Sequence, residues 1–430
     1  PDIWDSERVQ SDQMSQIIFN GEELQNSNEY YWRVRAWDVN GNPGPWSEIA
    51  GFETGLMGNG NWKAKWIGYD LNHLGKGEVY HLPPVPYLRK EIEIKENVKK
   101  AKLYITALGV YEFLINGGKV GEDYLNPGWT NYNKRVHYQV YDVTDQLSPG
   151  INTLGSLLAE GWYSGYLGYA LLVGLPQVKH FYGEVPCLLA QLRVDYENGD
   201  TEYFVTDGSW KASKGPLLES DILQGETYDA RLELAGWTEK GYNDDEWENV
   251  TEYEFPDVRI QVHPGEPIRI IEKIKPVKIT ERPEGYIFDL GQNFAGIIEL
   301  KVKGNKGDKL VLEYGEMLYP DGRLMTENLR MARATDTYIL KGDPEGETWQ
   351  PRFTFHGFRY VQLSGYEGEP DQEMITGLVL SSDHEKTSSF LCGDSVINKL
   401  YENINWTQLS NFLDIPTDCP QRDERFGWTG

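Results

Sequence analysis

Three carboxylates, two guanidiniums and an indole fall within thirteen residues of one another in the stretch Asp418-Cys-Pro-Gln-Arg-Asp-Glu-Arg-Phe-Gly-Trp-Thr-Gly430. Groups of these types can move a proton, grip hydroxyls and cover an apolar sugar face. Cleaving a glycosidic bond requires one carboxylic acid to protonate the leaving oxygen and a second carboxylate acting from the other side of the ring. Asp418, Asp423 and Glu424 are candidates for one half of such a pair. Adjacent side chains point in different directions, so Asp423 and Glu424 are not expected to share a role. The longer reach of glutamate favours Glu424 as the acid. The flanking Arg422 and Arg425 favour a carboxylate, whereas an acid must hold its proton, so burial or a neighbouring carboxylate has to outweigh them. Asp418 and Arg422 can bond hydroxyls directionally, and Trp428 can lie against a sugar face. The same charges could instead form an internal ion-pair network beneath a loop.

Other candidates carry less. Cys419 has no histidine near it in sequence and reads as a packed thiol rather than a nucleophile. His356 reads as a hydrogen-bonded interior histidine, and the glycine-rich run from Gly55 to Gly60 lacks the Lys-Ser/Thr of a phosphate-binding loop. Asn243-Asp-Asp-Glu246 is acidic but lacks the alternating ligand spacing of a calcium loop, so it reads first as a solvated turn.

The elements that must position the acidic stretch change character along the chain. Residues 1–57 read as part of a β-sandwich: Tyr31, Arg33 and Arg35 alternate with Trp32, Val34 and Ala36, and Asp38 to Pro43 supply a turn. Residues 58–255 carry short alternating runs, Tyr87 to Ile94, Ala101 to Leu108, Tyr111 to Ile115 and Leu188 to Asp195, punctuated by Asn-Gly turns, as in a β-sandwich or jelly roll. Residues 256–385 read as a second such module, with strands at Ile298 to Val302, Lys309 to Tyr314, Thr337 to Leu340 and Arg359 to Leu363. The period then changes. Val396, Ile397, Leu400, Ile404, Leu409 and Leu413 keep one helical face apolar, with Asp394 or Ser395 as cap. Pro416 breaks that pattern, so the acidic stretch is expected on an exposed loop after the helix.

Composition bounds what the chain can meet. At 430 residues it is long enough for about three domains. A net charge of −26 repels polyanions, so nucleic acid and anionic membrane are not expected as partners. No apolar run approaches a membrane span. The 14 Trp and 27 Tyr suit sugar faces, although most are expected to fill sandwich cores. Cys187, Cys392 and Cys419 form neither a disulfide framework nor a zinc site, and they lean towards a reducing cytoplasm rather than export. Pro1 is not an initiator and no signal-peptide core follows it, so the chain reads as a piece of a longer one.

The closing stretch closely resembles the signature of the bacterial α-L-rhamnosidases of glycoside hydrolase family 78. Further segments resemble that family in order: Trp32-Arg-Val-Arg-Ala-Trp-Asp, Ala107-Leu-Gly-Val-Tyr-Glu, Asn126-Pro-Gly-Trp-Thr-Asn-Tyr, Gly161-Trp-Tyr-Ser-Gly, Gly225-Glu-Thr-Tyr-Asp-Ala-Arg, Phe288-Asp-Leu-Gly-Gln-Asn and Phe355-His-Gly-Phe-Arg-Tyr. The resemblance implies a mainly β chain: a fibronectin type III-like module, two β-sandwich modules and then, over 386–430, the first helix and acid loop of an (α/α)6 catalytic barrel. It implies removal of terminal α-L-rhamnose from glycosides or polysaccharides, with inversion and with no required cofactor. Glu424 matches the family's general acid, and Asp418, Arg422 and Trp428 match positions that hold the sugar. The general base is expected beyond residue 430, so this chain alone is expected to be inactive. Some relatives bind calcium and rhamnose in the region matching 58–255. The competing readings are a non-catalytic carbohydrate-binding protein of stacked β-sandwiches, or an (α/α)6 glycosidase acting on another sugar.

Overall fold

A computed structural model describes residues 2–13, 15–75, 79–168, 179–255 and 258–428; Pro1, Thr429 and Gly430 lie outside them. The chain divides into two compact units, Pro1–Trp62 and Lys63–Gly430.

In the first unit, strands Glu29–Trp32 and Ala50–Glu53 pair antiparallel, with Glu29 opposite Glu53 and Trp32 opposite Ala50. Regular structure stops at Trp32, earlier than the alternation over residues 31–36 suggests. The two chains nonetheless stay linked, because Ser47 N–H donates to Val34 O at 2.7 Å and Gly44 N–H to Ala36 O at 2.8 Å. The Asp38 carboxylate closes the turn by accepting from the backbones of Asn40 and Asn42, at 2.9 and 2.8 Å. Alternation brings Arg33 and Arg35 to the Trp46 ring, each 4.6 Å from its centroid.

The second unit begins as two largely antiparallel sheets face to face. One runs, in spatial order, through residues 251–253, 66–68, 187–196, 98–108, 135–142 and 259–262, with 201–205 attached to 187–196; the other runs through 248–249, 211–214, 86–94, 150–159, 110–115 and 118–119. Period-two alternation sends Leu88, Ile92 and Ile94 inward from one sheet and Leu103, Ile105, Leu192 and Val194 from the other, around a buried Trp210. A ten-stranded sheet follows, built around strand Gly285–Val302. That strand pairs twice with His356–Ser364. Between the two stretches, the four residues separating Asp289 from Phe294 face the single residue separating Tyr360 from Phe358, a bulge that bends it.

The expected division at residue 255 is not a division in space. Strands Leu217–Asp221 and Gly225–Asp229 leave the sandwich and join the ten-stranded sheet, the second pairing parallel with Thr335–Ile339. In return, Arg259–Val262 pairs parallel with Arg135–Asp142 of the sandwich. Strand pairing is decided by which edges meet, and contiguous sequence runs do not reveal that.

One long helix, Ser395–Ser410, follows, and the Asp394 carboxylate caps it by accepting from Val396 N at 2.8 Å. Its apolar stripe faces away from the sheets: Val396, Leu400 and Ile404 are exposed, while Trp406 packs towards the core. Leu413, expected on the same face, belongs instead to a two-residue strand, Phe412–Leu413, that turns back against Ile415–Pro416, and it is buried. The helix ends at Ser410, before Pro416 could break it. No helix among the described residues is long and apolar enough to cross a membrane.

Candidate active site

The acidic stretch forms a closed loop. Asp418 N–H donates to Phe426 O at 2.7 Å and Trp428 N–H to Pro416 O at 2.8 Å, while Thr417 bridges Gly427. Asp414, at the turn of the preceding hairpin, secures the base of the loop by accepting from Trp129 N at 2.6 Å and from His263 Nε2 at 2.5 Å. Burial acts to lower the His263 pKa, but the hydrogen bond and charge of Asp414 outweigh it and raise it.

Alternation within the loop divides its charges into two sets. Asp423 and Arg425 point inward and are buried; Arg422 and Glu424 face outward and are partly exposed. Asp423 is closed off from solvent and paired to Arg330, whose Nε and Nη2 both reach Oδ1, at 2.8 and 2.7 Å. Its other oxygen accepts from Met331 N at 3.3 Å. Among the described residues no carboxylate pairs with Arg425: its guanidinium donates to the backbone carbonyls of Ile222, Phe355, Arg422 and Gln421, and lies 4.8 Å from the Phe355 ring centroid. Burial brings its pKa down to about 10, so it remains charged at neutral pH. The loop lies so close to the sheets that glycine is required beneath it. A Cβ on Gly168 would lie 1.0 Å from the Asp423 carbonyl oxygen, and one on Gly357 would lie 2.8 Å from Gln421 N.

The outward set converges. Glu424 lies between two guanidiniums, with Oε2 2.8 Å from Arg422 Nη2 and 2.9 Å from Arg330 Nη2. Asp418 stands beyond Arg422, at 3.8 Å. Trp428 is fixed through its backbone while 64% of its surface is exposed. The four residues singled out from the sequence, Asp418, Arg422, Glu424 and Trp428, therefore share one loop, with the first three linked by charge. The ion-pair network read from the sequence is present, running from Asp423 through Arg330 and Glu424 to Arg422 and Asp418.

Cys419 is packed beneath this cluster, with Arg422 Nε donating to its sulfur at 2.9 Å. Burial outweighs the guanidinium and pushes the thiol up to about 11, which leaves almost no thiolate at neutral pH and bears out a packed role. Asp418, Cys419 and Glu424 are the group of metal-capable side chains found among the described residues, with ligand atoms within 4.8 Å of one another. Two guanidiniums already balance that charge. At Asn243–Glu246, the Asp244 carboxylate is engaged by Arg89 and by Lys211 Nζ, the latter at 2.6 Å. His356 is buried against Asp336 at 3.1 Å and stacked on Tyr314, an interior histidine as read from the sequence.

Arg330 is the neighbour of Asp423 and Glu424 that sequence reasoning missed. It lies 88 positions before Asp418 in an unremarked loop. The available signal was indirect: once Arg422 faces outward, the inward Asp423 needs a cation that the motif does not supply.

Comparisons with known proteins give this geometry a setting. Residues 1–58 match the Rha78A-like N-terminal immunoglobulin domain, 96–272 the α-L-rhamnosidase N-terminal domain, 279–381 the bacterial α-L-rhamnosidase concanavalin-like domain and 385–430 the bacterial α-L-rhamnosidase six-hairpin glycosidase domain. This succession of β modules leading into a glycosidase domain is that of a multimodular glycoside hydrolase. The chain is 40% identical, over its whole length, to 46% of an α-L-rhamnosidase from Formosa agariphila, and 47% identical over 80% of its length to 33% of one from Streptomyces avermitilis. The solved α-L-rhamnosidase of Streptomyces avermitilis complexed with L-rhamnose superposes with a TM-score of 0.91 at 32% identity, covering all of this chain and 57% of that one. The Dictyoglumus thermophilum α-L-rhamnosidase gives 0.89 at 40% identity over 99% of this chain and 48% of its own. The chain belongs to the bacterial α-L-rhamnosidases of glycoside hydrolase family 78. It spans about half the length of the relatives it matches over its full extent.

Proposed function

We propose that this chain supplies the proton donor and part of the sugar pocket of an exo-acting, inverting α-L-rhamnosidase. The observation that carries this reading is the two-sided loop: Asp423 and Arg425 anchor it, and Glu424 is presented beside Asp418 and Arg422 with the Trp428 ring at the rim. In the proposed reaction Glu424 gives its proton to the glycosidic oxygen. The C1–O bond breaks with its electron pair going to the aglycone, and water adds to C1 from the opposite face as a second carboxylate takes its proton. An inverting pair stands roughly 6.5–9.5 Å apart to leave room for that water. We assign the second carboxylate to a residue outside 1–430, so the chain alone should not turn over.

Both guanidiniums approach Oε2, so Oε1 is the oxygen assigned to the proton. Asp418 and Arg422 are assigned to the sugar hydroxyls and Trp428 to its apolar face. The substrate class, terminal α-L-rhamnose, rests on what the relatives are named for and on the L-rhamnose in the Streptomyces avermitilis structure. We further propose that the helix Ser395–Ser410 opens an (α/α)6 barrel, whose other helices would cover the exposed Leu400 and Ile404. The chemistry uses two carboxylates and water and calls for no cofactor.

The test uses the longest reading frame that encodes this chain. Purified protein is assayed for rhamnose release from an alkyl α-L-rhamnoside, with the first-formed anomer followed by proton NMR, alongside Glu424→Gln. The reading expects the opposite anomer from wild type and loss of activity in the variant. Equal turnover by wild type and variant would remove Glu424 from the mechanism. Rhamnose binding without turnover would favour a carbohydrate-binding protein.

A further inference from the structure

We propose that Arg330, contributed by the ten-stranded-sheet module, is a positioning residue for Glu424 that orients its carboxylate and balances the charge formed there as the proton leaves. The proposal rests on Glu424 being the acid. Three features of the structure support it.

First, Arg330 is held by groups outside the acid loop. It follows the short turn Glu327–Leu329 at φ +57°, a left-handed value seldom taken by residues other than glycine. The residues after it are pinned to the neighbouring hairpin. Arg333 donates from its backbone to Gln224 Oε1 at 2.8 Å, from Nε to Gln224 O at 3.0 Å and from Nη2 to Glu219 at 3.1 Å, and Met331 O accepts from Tyr80 at 3.1 Å. A segment anchored in this way presents its guanidinium in one direction.

Second, Asp423 fixes the orientation of that guanidinium. Its Oδ1 takes both Nε and Nη2, and the same Nη2 then reaches Glu424 Oε2 at 2.9 Å. One fork-shaped cation joins two adjacent carboxylates, a geometry that the single ammonium of lysine cannot reproduce.

Third, Arg330 and Arg422 converge on the same oxygen. Before proton transfer they select the rotamer that leaves Oε1 for the proton. During transfer, negative charge grows on the carboxylate directly against them, and a preorganised cation there favours the transition state. A residue that only clamped Asp423 would affect loop stability and not the chemistry of the leaving group.

Arg330→Gln and Arg330→Lys, made in the longest reading frame that encodes the chain, separate these roles. Lysine retains a positive charge for the buried Asp423 should glutamine prevent folding. Substrates are an alkyl α-L-rhamnoside, whose leaving oxygen needs a proton, and an activated aryl α-L-rhamnoside, which needs it little. For both variants we expect kcat/KM on the alkyl substrate to fall by about 10- to 100-fold, against less than about 3-fold on the aryl substrate. In Arg330→Gln, loss of a cation beside the acid should also move the alkaline limb of the alkyl pH profile upward by about one unit. Equal losses on both substrates with an unmoved pH profile would overturn the proposal and leave Arg330 as a clamp. Glu424→Gln is run in parallel. If it hydrolyses the alkyl substrate like wild type, the acid assignment fails and this inference with it. If it is inactive on that substrate while the Arg330 variants lose both activities equally, only this inference fails.

Discussion

Asp423 and Glu424 are adjacent carboxyl groups that share Arg330, yet unequal consequences are expected when each is replaced by its amide. Asp423 is fully buried and its carboxylate is met by Arg330 and by Met331 N. Asp423→Asn leaves the guanidinium short of its innermost partner, and breaking a buried pair by removing one member costs about 3–5 kcal/mol. A domain of 150–250 residues loses about 2–4 °C of Tm per kcal/mol and a larger one less, so a drop of about 5–10 °C is expected for the Lys63–Gly430 unit. Glu424 retains 13% of its side-chain exposure, and its loss leaves Arg330 still paired to Asp423 and Arg422 still near Asp418. Partly solvated pairs contribute roughly 0–1 kcal/mol, so Glu424→Gln should move Tm by at most about 2 °C. Differential scanning calorimetry of wild type and both variants at one scan rate and pH makes the comparison. Equal shifts, or a larger one for Glu424→Gln, would refute the division of the loop into an anchoring inner face and a working outer face.

The remaining expectations are narrower. In folded protein at pH 8, Cys419 should react with a thiol reagent far more slowly than Cys392, because burial holds its thiol up to about 11; comparable rates would contradict the packing around it. Trp428→Ala should leave Tm within about 1 °C and raise the KM for an α-L-rhamnoside by about tenfold, the order of one aromatic contact; an unchanged KM would remove the ring from the pocket. Glu226, buried and beside Asp336, has its pKa raised to about 7. Its folded pKa lies above the unfolded value of about 4.5, so the stabilisation it gives is complete below about pH 4.5 and lost as pH rises towards 7. Urea titrations should show this decline in wild type and a shallower one in Glu226→Gln, and parallel curves would exclude the linkage.

Much of the architecture is legible in the sequence because two of its periods are strong. Runs such as 86–94 and 187–196 alternate so regularly that their faces follow directly, and Asp394 followed by spaced apolar residues marks the helix. Alternation says which way a side chain points but not which strand lies beside it, so the departure of residues 217–229 to another sheet leaves no local trace. Leu413 continues the helical spacing by coincidence, after the chain has already turned into a hairpin. In the site, the residue types suggested chemistry, but their division into inner and outer sets depends on the backbone of a closed loop. Arg330 was invisible because it reaches Glu424 through the fold rather than along the chain.

The exchange of strands across residue 255 also bears on how such a protein can be cut, recombined or unfolded. Each of the two large sheets holds an edge strand supplied from the other side of that point. A break there would leave two pieces, each with an unpaired, sticky edge. Limited proteolysis and gene shuffling should therefore find their tolerated junctions near residue 62, and heating should melt the whole of 63–430 as a single cooperative block. Arg330 would then be lost together with the sandwich, so Asp423 and Glu424 keep their shared guanidinium only while both sheets are intact.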